Sequence, residues 1–261
     1  MKNQSERTFD KQVELANILK TLVLVGNVSE FSFNDIYGGS GMYEIYGRLC
    51  KGSSLIAHDT LSKDHDIIRR YPGFVYNGCV LEKNRKNFKS LNENLKRYCP
   101  NHRFITINQC NKRALWFDGN PMAYYSKGGL LKNGLIYFDP PGATDASLIQ
   151  SYSARAPQYS LLCNFQRGIT IRSMGRSLKN PVKDLMLDRS LWLLSKPVER
   201  VGFSWLLKVN DSSLINLVRD GVNNRNSSEL LINADSAEGA KYFRIFTEVG
   251  HSIYKNKNYG G

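Results

Sequence analysis

Apolar residues near the start of the chain recur at close to helical spacing, at Phe9, Val13, Ala16, Ile18, Leu19, Leu22 and Val23. Lys11, Glu14 and Asn17 fall on the other side, so the pattern predicts a short opening amphipathic helix over residues 8–25. Gly26 and Asn27 break it. Phe31 to Tyr37 (FSFNDIY) then reads as a strand that runs into the glycine cluster Gly38, Gly39 and Gly41. A helical stretch from Ser53 to Arg70 follows, then a strand from Phe74 to Leu81 ending at Glu82, then a charged helix from Asn84 to Tyr98. Phe104 to Ile107 and Leu135 to Phe138 are two further strands, the second closed by Asp139, Pro140 and Pro141, because proline cannot continue a ladder.

Tyr159 to Phe165 (YSLLCNF) and Gly202 to Val209 (GFSWLLKV) are the next strands, with a helix expected around Asp184 to Leu194 between them. In the tail, Ser228 to Ala234 and Tyr242 to Tyr254 could each hold a strand, separated by a polar turn around Asp235 to Gly239, and one of them suits an antiparallel edge. The final KNKNYGG is expected to fray. No internal repeat interrupts this order. Strands alternating with helices imply one α/β domain over residues 1–261, with a mostly parallel seven-stranded sheet, helices on both faces and an antiparallel edge strand.

A hydrophobic fraction of 41% over 261 residues can supply the core such a domain needs. Charge adds something the pattern does not. Thirty-six Lys and Arg against 23 Asp and Glu give a formal charge of +13, which attracts polyanions through counterion release and makes nucleic acid the first partner to consider. The competing reading spreads these cations over solvated faces, as at Lys83, Arg85, Lys86, Lys89 and Lys96. The five cysteines, Cys50, Cys79, Cys99, Cys110 and Cys163, are odd in number, far apart and without a CxxC pair, which fits a reducing compartment. No apolar run approaches the length of a membrane span, and the polar start MKNQSERTFDK lacks the apolar stretch of a secretory signal, so a cytoplasmic location and no membrane partner are expected. His58, His65, His102 and His251 show no metal-ligand spacing, so no metal is expected, and no nucleophile–histidine–acid order supports hydrolase chemistry.

Three constellations carry candidate chemistry. Asp35-Ile-Tyr-Gly-Gly-Ser-Gly41 ends the first strand with glycines that let backbone approach a ligand closely. Glu82 ends the second strand, where an acid can accept hydrogen bonds from both hydroxyls of a ribose. Together they form the arrangement an adenosine ligand calls for. A nicotinamide cofactor fits less well, since G-x-G-x-x-G fails at Glu44. Asp139-Pro-Pro-Gly142 ends the fourth strand, and its carboxylate and proline-fixed carbonyl could orient an amino group toward a methyl donor. Read blandly, the three are a glycine-rich turn, a solvated acid and a rigid strand end.

The order DIYGGSG, VLEKN, FDPPG resembles the class I, Rossmann-like methyltransferases that use S-adenosylmethionine, and DPP resembles the motif of enzymes that methylate exocyclic amino groups of nucleobases. From Phe9 to Phe165 the chain is also similar to the three-Cys-motif partner family, whose GSPLIA-like stretch is matched by Gly52 to Ala57 and whose EKxxxNF-like helix start is matched by Glu82 to Phe88. The resemblance implies that Asp35, Gly38, Gly39 and Gly41 hold the methionine part of the cofactor and that Glu82 holds its ribose. Asn108 or Gln109 would lie near the adenine, and Asp139 and Pro140 would face the methyl acceptor, with Pro141 the third catalytic position of the motif. It departs at Gly142, where amino-methylating enzymes place a stacking aromatic; Tyr124, Tyr125, Tyr152 or Phe165 could stack instead, or be core or ordinary surface. The basic insertion 167–183, with Arg167, Arg172, Arg176, Lys179 and Lys183, suits a phosphate backbone or a solvated loop equally. The expectation is a methyltransferase acting on DNA or RNA, at an amino group such as adenine N6. A second reading keeps the fold as a nucleic-acid-binding or scaffolding subunit for a protein partner, with little or no catalysis, and a third moves the acceptor to protein or a small molecule.

Overall fold

The computed structural model describes residues 4–108, 131, 133–141, 146–165, 189–195, 204–225 and 230–241. Helix α1 (Gln4–Val25) leads into β1 (Glu30–Asp35), a hairpin of β2 (Met42–Ile45) and β3 (Arg48–Lys51), helices α2 (Ser53–Lys63) and α3 (His65–Arg70), and β4 (Val75–Leu81). Then come α4 (Arg85–Tyr98), β5 (Phe104–Ile107), β6 (Gly134–Phe138), α5 (Ala146–Arg155) and β7 (Tyr159–Phe165). The described chain ends with β8 (Trp192–Ser195), β9 (Ser204–Lys208), α6 (Ile215–Asn223) and β10 (Leu231–Asn233).

Among the described residues the main sheet has eight strands in the order β10-β8-β9-β7-β6-β1-β4-β5, with β2 and β3 forming a sheet of their own. β5, β4, β1, β6 and β7 run parallel. β9 lies antiparallel between β7 and β8, and β10 is the antiparallel edge. The order from β5 to β7 is that of a doubly wound, Rossmann-like sheet, in which the chain winds outward one way from β1 through β4 and the other way through β6. That reversal opens a crevice at the carboxyl ends of β1, β4 and β6.

Side chains alternate between two cores as the pleat requires. Phe31 and Phe33 of β1, Leu135 and Tyr137 of β6, and Trp205 and Leu207 of β9 pack beneath α1, α2, α4 and α6. Ile136, Phe138, Leu161 and Cys163 face the other way, against Leu148, Ile149 and Tyr152 of α5. Helix α1 buries Leu15, Ile18, Leu19 and Val23, close to the predicted stripe, although it begins at Gln4.

Four expectations need correction. The stretch from Ser53 to Arg70 is two helices, because Asp64 adopts an extended backbone and its carboxylate accepts from the N–H groups of Asp66 and Ile67, capping the second. Lys20 of α1 pins that junction through Asp64 and Asp66 at 2.8 and 2.7 Å. Of the helix expected around Asp184 to Leu194, residues 184–188 lie outside the described residues, Arg189–Leu191 form a 3-10 turn and Trp192–Ser195 is a strand, the eighth of the sheet; WLLS is buried at every position, and periodicity cannot separate so short a buried strand from a buried helix segment. The β2–β3 hairpin carried no recognised turn signal. Its two-residue loop, Tyr46-Gly47, has φ of 51° and 73°, the type I′ geometry that Asn-Gly usually supplies. Helices α5 and α6 were also unforeseen. The expected strand over Tyr242 to Tyr254 lies outside the described residues. No helix among the described residues is long and apolar enough to cross a membrane.

Candidate active site

Asp35, Glu82 and Asp139 stand at the carboxyl ends of three adjacent parallel strands. Asp35 pairs in register with Val80 of β4 and with Tyr137 of β6, so Glu82 and Asp139 each lie two residues beyond it, one on either side. The strand order reverses here, which places all three acids at the crevice where open α/β sheets bind ligands.

The glycine loop is tied to the second of these ends. Gly38 donates its N–H to the carbonyl of Leu81 at 2.8 Å, and Gly39 donates to Glu82 Oε2 at 2.9 Å. Gly38 approaches β4 so closely that a Cβ there would lie 2.3 Å from Val80 Cγ1. Gly39 has φ of 60°, which a residue with a Cβ rarely adopts. Gly41, likewise at positive φ, accepts from Gly52 N at 2.7 Å and closes the base of the hairpin. Glu82 receives a second N–H, from Asn84, on Oε1 at 2.6 Å. Both carboxylate oxygens are thus fixed in direction while each keeps acceptor capacity toward the crevice. Asn108 sits behind this strand end, its amide donating to the Glu82 carbonyl at 2.8 Å.

Asp35 is fully buried. Its carboxylate accepts from the Tyr37 N–H at 2.9 Å and from the Ser53 hydroxyl. Burial nevertheless dominates and pushes its pKa up to about 7; the two hydrogen bonds pull the other way, and Asp139 and Glu82 add to the rise. Ser53 opens α2 within the stretch that matches GSPLIA, which gives that sequence match a local role.

Asp139 is held by donors from three elements. Lys11 of α1 reaches Oδ1 at 3.0 Å and Oδ2 at 3.3 Å, Asn164 of β7 donates to Oδ1 at 2.5 Å, and the Tyr137 hydroxyl approaches Oδ2 at 3.4 Å. Oδ1 is therefore the anchored oxygen, while Oδ2 has only long contacts. Pro140 is buried behind it and Pro141 is exposed.

Three residues of this site were missed in the sequence. Lys11 sat on the polar side of the predicted helix, where a lysine carries no signal. Asn164 is fully buried in the apolar run YSLLCNF, and a polar residue at that place in a central strand is a readable clue. Tyr43 lies in the unforeseen hairpin, and its hydroxyl hangs over Gly39, 2.5 Å from where a Cβ would be. Desolvation raises the pKa of this phenol well above its usual value, and Asp35, Asp139 and Glu82 raise it further, so one hydroxyl senses all three carboxylates. Tyr152, considered as a base-stacking residue, is core: it is buried and meets Phe138 edge-on at 5.4 Å. Phe165 ends β7. Gln109, Tyr124, Tyr125, Gly142 and the basic positions Arg167, Arg172, Arg176, Lys179 and Lys183 lie outside the described residues.

A cluster of His58, Asp59 and Cys99 brings potential ligand atoms within 4.8 Å of one another, a proximity their spacing hid. Its groups are engaged with protein partners: His58 Nδ1 bonds the Tyr76 hydroxyl at 2.5 Å, and Asp59 ion-pairs with Lys51 and Lys63.

No family model matches the chain, and no curated protein matches it in sequence. Among solved structures, protein LPL1258 from Legionella pneumophila is similar, with a TM-score of 0.52 at 12% identity over 87% of this chain and 97% of that one. An rRNA methylase from Streptococcus thermophilus has a TM-score of 0.41 at 8% identity over 76% of this chain and 93% of that one. The METTL16 methyltransferase domain has 0.43 at 11% identity over 74% and 66%. The similarity to LPL1258 is one of fold, and it agrees with the Rossmann-like α/β sheet described above.

Proposed function

We propose that the protein binds S-adenosylmethionine across the ends of β1 and β4 and transfers its methyl group to an exocyclic amino nitrogen of a nucleic acid, with adenine N6 as the reference acceptor. The observation that carries this reading is the convergence of Asp35, Glu82 and Asp139 on one crevice around a glycine loop. The residues fit such a cofactor. Glu82 presents a carboxylate fixed by two backbone N–H groups to a pair of ribose hydroxyls. Gly38, Gly39 and Gly41 let the loop pack tightly against Val80, Tyr43 and Leu91 at the end of β1, where the methionine part would lie, and a buried Asp35 suits a cationic ligand that compensates its charge.

The bound cofactor supplies a methyl group activated by a positively charged sulfur. The chain's own residues would do the rest by positioning. Asp139, anchored through Oδ1 by Lys11 and Asn164, presents Oδ2 to an N–H of the acceptor. A hydrogen bond from the amino group to this fixed oxygen aims its lone pair, which is the main catalytic requirement for this transfer. As the nitrogen acquires positive charge, the Asp139 carboxylate stabilises it and stands ready to receive its proton. The net charge of +13 supports a polyanionic acceptor.

The test is transfer of labelled methyl from S-adenosylmethionine to matched DNA and RNA, with Asp139→Ala as control. Incorporation into one of them, lost in the variant while cofactor binding persists, is the expected result. Full activity in Asp139→Ala would remove this assignment. The Lys11–Asp139 ion pair favours one other reading, a subunit that binds nucleic acid without catalysis, because the ammonium offsets the negative charge with which the carboxylate would stabilise a methylated amino group. Cofactor binding without incorporation into any nucleic acid would select that reading.

A further inference from the structure

The β2–β3 hairpin stands at the mouth of the crevice and pairs with no strand of the main sheet. Its base is fixed: Gly41 and Gly52 are bonded to each other, and Tyr43 packs over Gly39 and Gly52. Its tip is not covered by the described residues. Tyr46 is 67% exposed, and it occupies the left-handed region at φ 51°, where asparagine or glycine would sit without strain. An aromatic ring held in an unfavourable backbone conformation, and left in water, is not there for the stability of the hairpin. Arg48, also exposed, lies across the ladder from Ile45 and shares the face of Tyr43, the face that carries the hydroxyl over the glycine loop.

Helix α4 lies beside the hairpin's base. Asn94 of α4 donates to the Ser40 carbonyl at 2.9 Å and Leu91 lies beneath Gly38 and Gly41, so this helix is seated against the glycine loop. Just after Glu82, Lys83, Arg85, Lys86 and Lys89 are all exposed, and among the described residues none of them forms an ion pair. Cations in the first turn oppose the helix dipole and weaken the helix. Their placement therefore answers to an external anion better than to the fold. A strained exposed aromatic on the hairpin and a row of cations at the start of the neighbouring helix, none in an ion pair among the described residues, form the combination that single-stranded nucleic acid requires, stacking for its bases and charge for its backbone.

We propose that the β2–β3 hairpin and the start of α4 form the surface on which single-stranded nucleic acid lies, with Tyr46 stacking on a base next to the acceptor. Arg48, Lys83, Arg85 and Lys86 meet its phosphates. This rests on the nucleic-acid methyltransferase reading and adds to it the place where the strand docks.

The experiment uses the full chain and 20-nucleotide adenosine oligomers, RNA and DNA, each with one 2-aminopurine. Tyr46→Gly removes the ring and relieves the backbone, so it cannot act by unfolding the hairpin. It is expected to weaken binding about tenfold and to abolish quenching of 2-aminopurine, with Tyr46→Phe restoring both. Lys83→Gln/Arg85→Gln/Lys86→Gln is expected to lower the slope of log affinity against log salt by about 2. S-adenosylmethionine affinity should stay unchanged in all variants. Wild-type binding that both sets of variants retain, with an unaltered salt slope, would overturn the docking surface and leave the methyltransferase reading standing. Failure of the wild-type protein to bind either oligomer would overturn both, and the RNA and DNA arms tell which strand is preferred.

Discussion

Asp35 is the point at which stability and ligand binding should trade against each other, and pH is the way to read the trade. In the ligand-free fold its pKa is pushed from 3.8 up to about 7, chiefly by burial. A carboxylate raised in the folded state binds its proton more tightly there than in the unfolded chain. Its contribution to stability is thus fully present below pH 3.8 and is lost as pH rises toward about 7. The full interval corresponds to about 4 kcal/mol. Asp35→Asn removes this dependence, so its stability relative to wild type in urea should grow steadily between pH 4.5 and 7.5. Cofactor binding should respond with the opposite sign. A cationic ligand selects the ionised carboxylate, whose population rises from about a tenth at pH 6 to about nine-tenths at pH 8, so S-adenosylmethionine should bind about tenfold more tightly at pH 8. The ligand's own amino group loses charge toward higher pH and works against this trend, which makes a rise diagnostic. Calorimetric titration of wild type and Asp35→Asn at pH 6, 7 and 8 is the assay. A wild-type affinity that is flat or falls over this range, or one whose slope Asp35→Asn reproduces, would refute the reasoning.

Gly38→Ala should cost about 1–3 kcal/mol in urea unfolding, because its Cβ would meet Val80 Cγ1 at 2.3 Å; Val80→Ala in the same chain should recover much of that loss. Lys11→Met should change stability by no more than about 1 kcal/mol. It should nevertheless lower the methyl-transfer rate about 10–100-fold through misplacement of Asp139, with the KM for cofactor unchanged; a rate that rises instead would identify the ion pair as a block. Trp205→Ala, which empties a fully buried site between Tyr137 and the helical layer, should cost about 3–5 kcal/mol, read as a shift in urea midpoint at constant slope.

The centre of the parallel half was legible because β1, β4 and β6 are short runs rich in apolar residues, each stopped by a residue with a definite reason to stop it: glycines after β1, Glu82 after β4, and prolines after β6. The antiparallel half was harder. Trp192–Ser195 is apolar or small at every position and buried on both faces, so the sequence lacks the alternation that would have marked it as strand. The hairpin was hidden for another reason, since Tyr46 occupies a backbone conformation that its side chain disfavours. Sequence rules describe what is locally comfortable, and they fail first where a residue is kept against its preference.

The same distinction divides the site. Asp35, the glycines, Glu82 and Asp139 announce themselves because each sits where strand becomes loop, and the winding of an α/β sheet gathers such positions on one edge. Lys11, Tyr43 and Asn164 come from a helix 128 residues away from Asp139 in sequence, from a hairpin, and from the interior of a strand. Nothing local marks Lys11 or Tyr43, and only the polarity of Asn164 within an apolar strand betrays it. They are joined to the site by tertiary contacts alone, yet they shape it: Lys11 and Asn164 hold Oδ1 of Asp139 more closely than Oδ2, and Tyr43 lays its hydroxyl over Gly39. The motif residues therefore mark where a ligand would lie, whereas the side chains that set its chemistry had to be found in three dimensions.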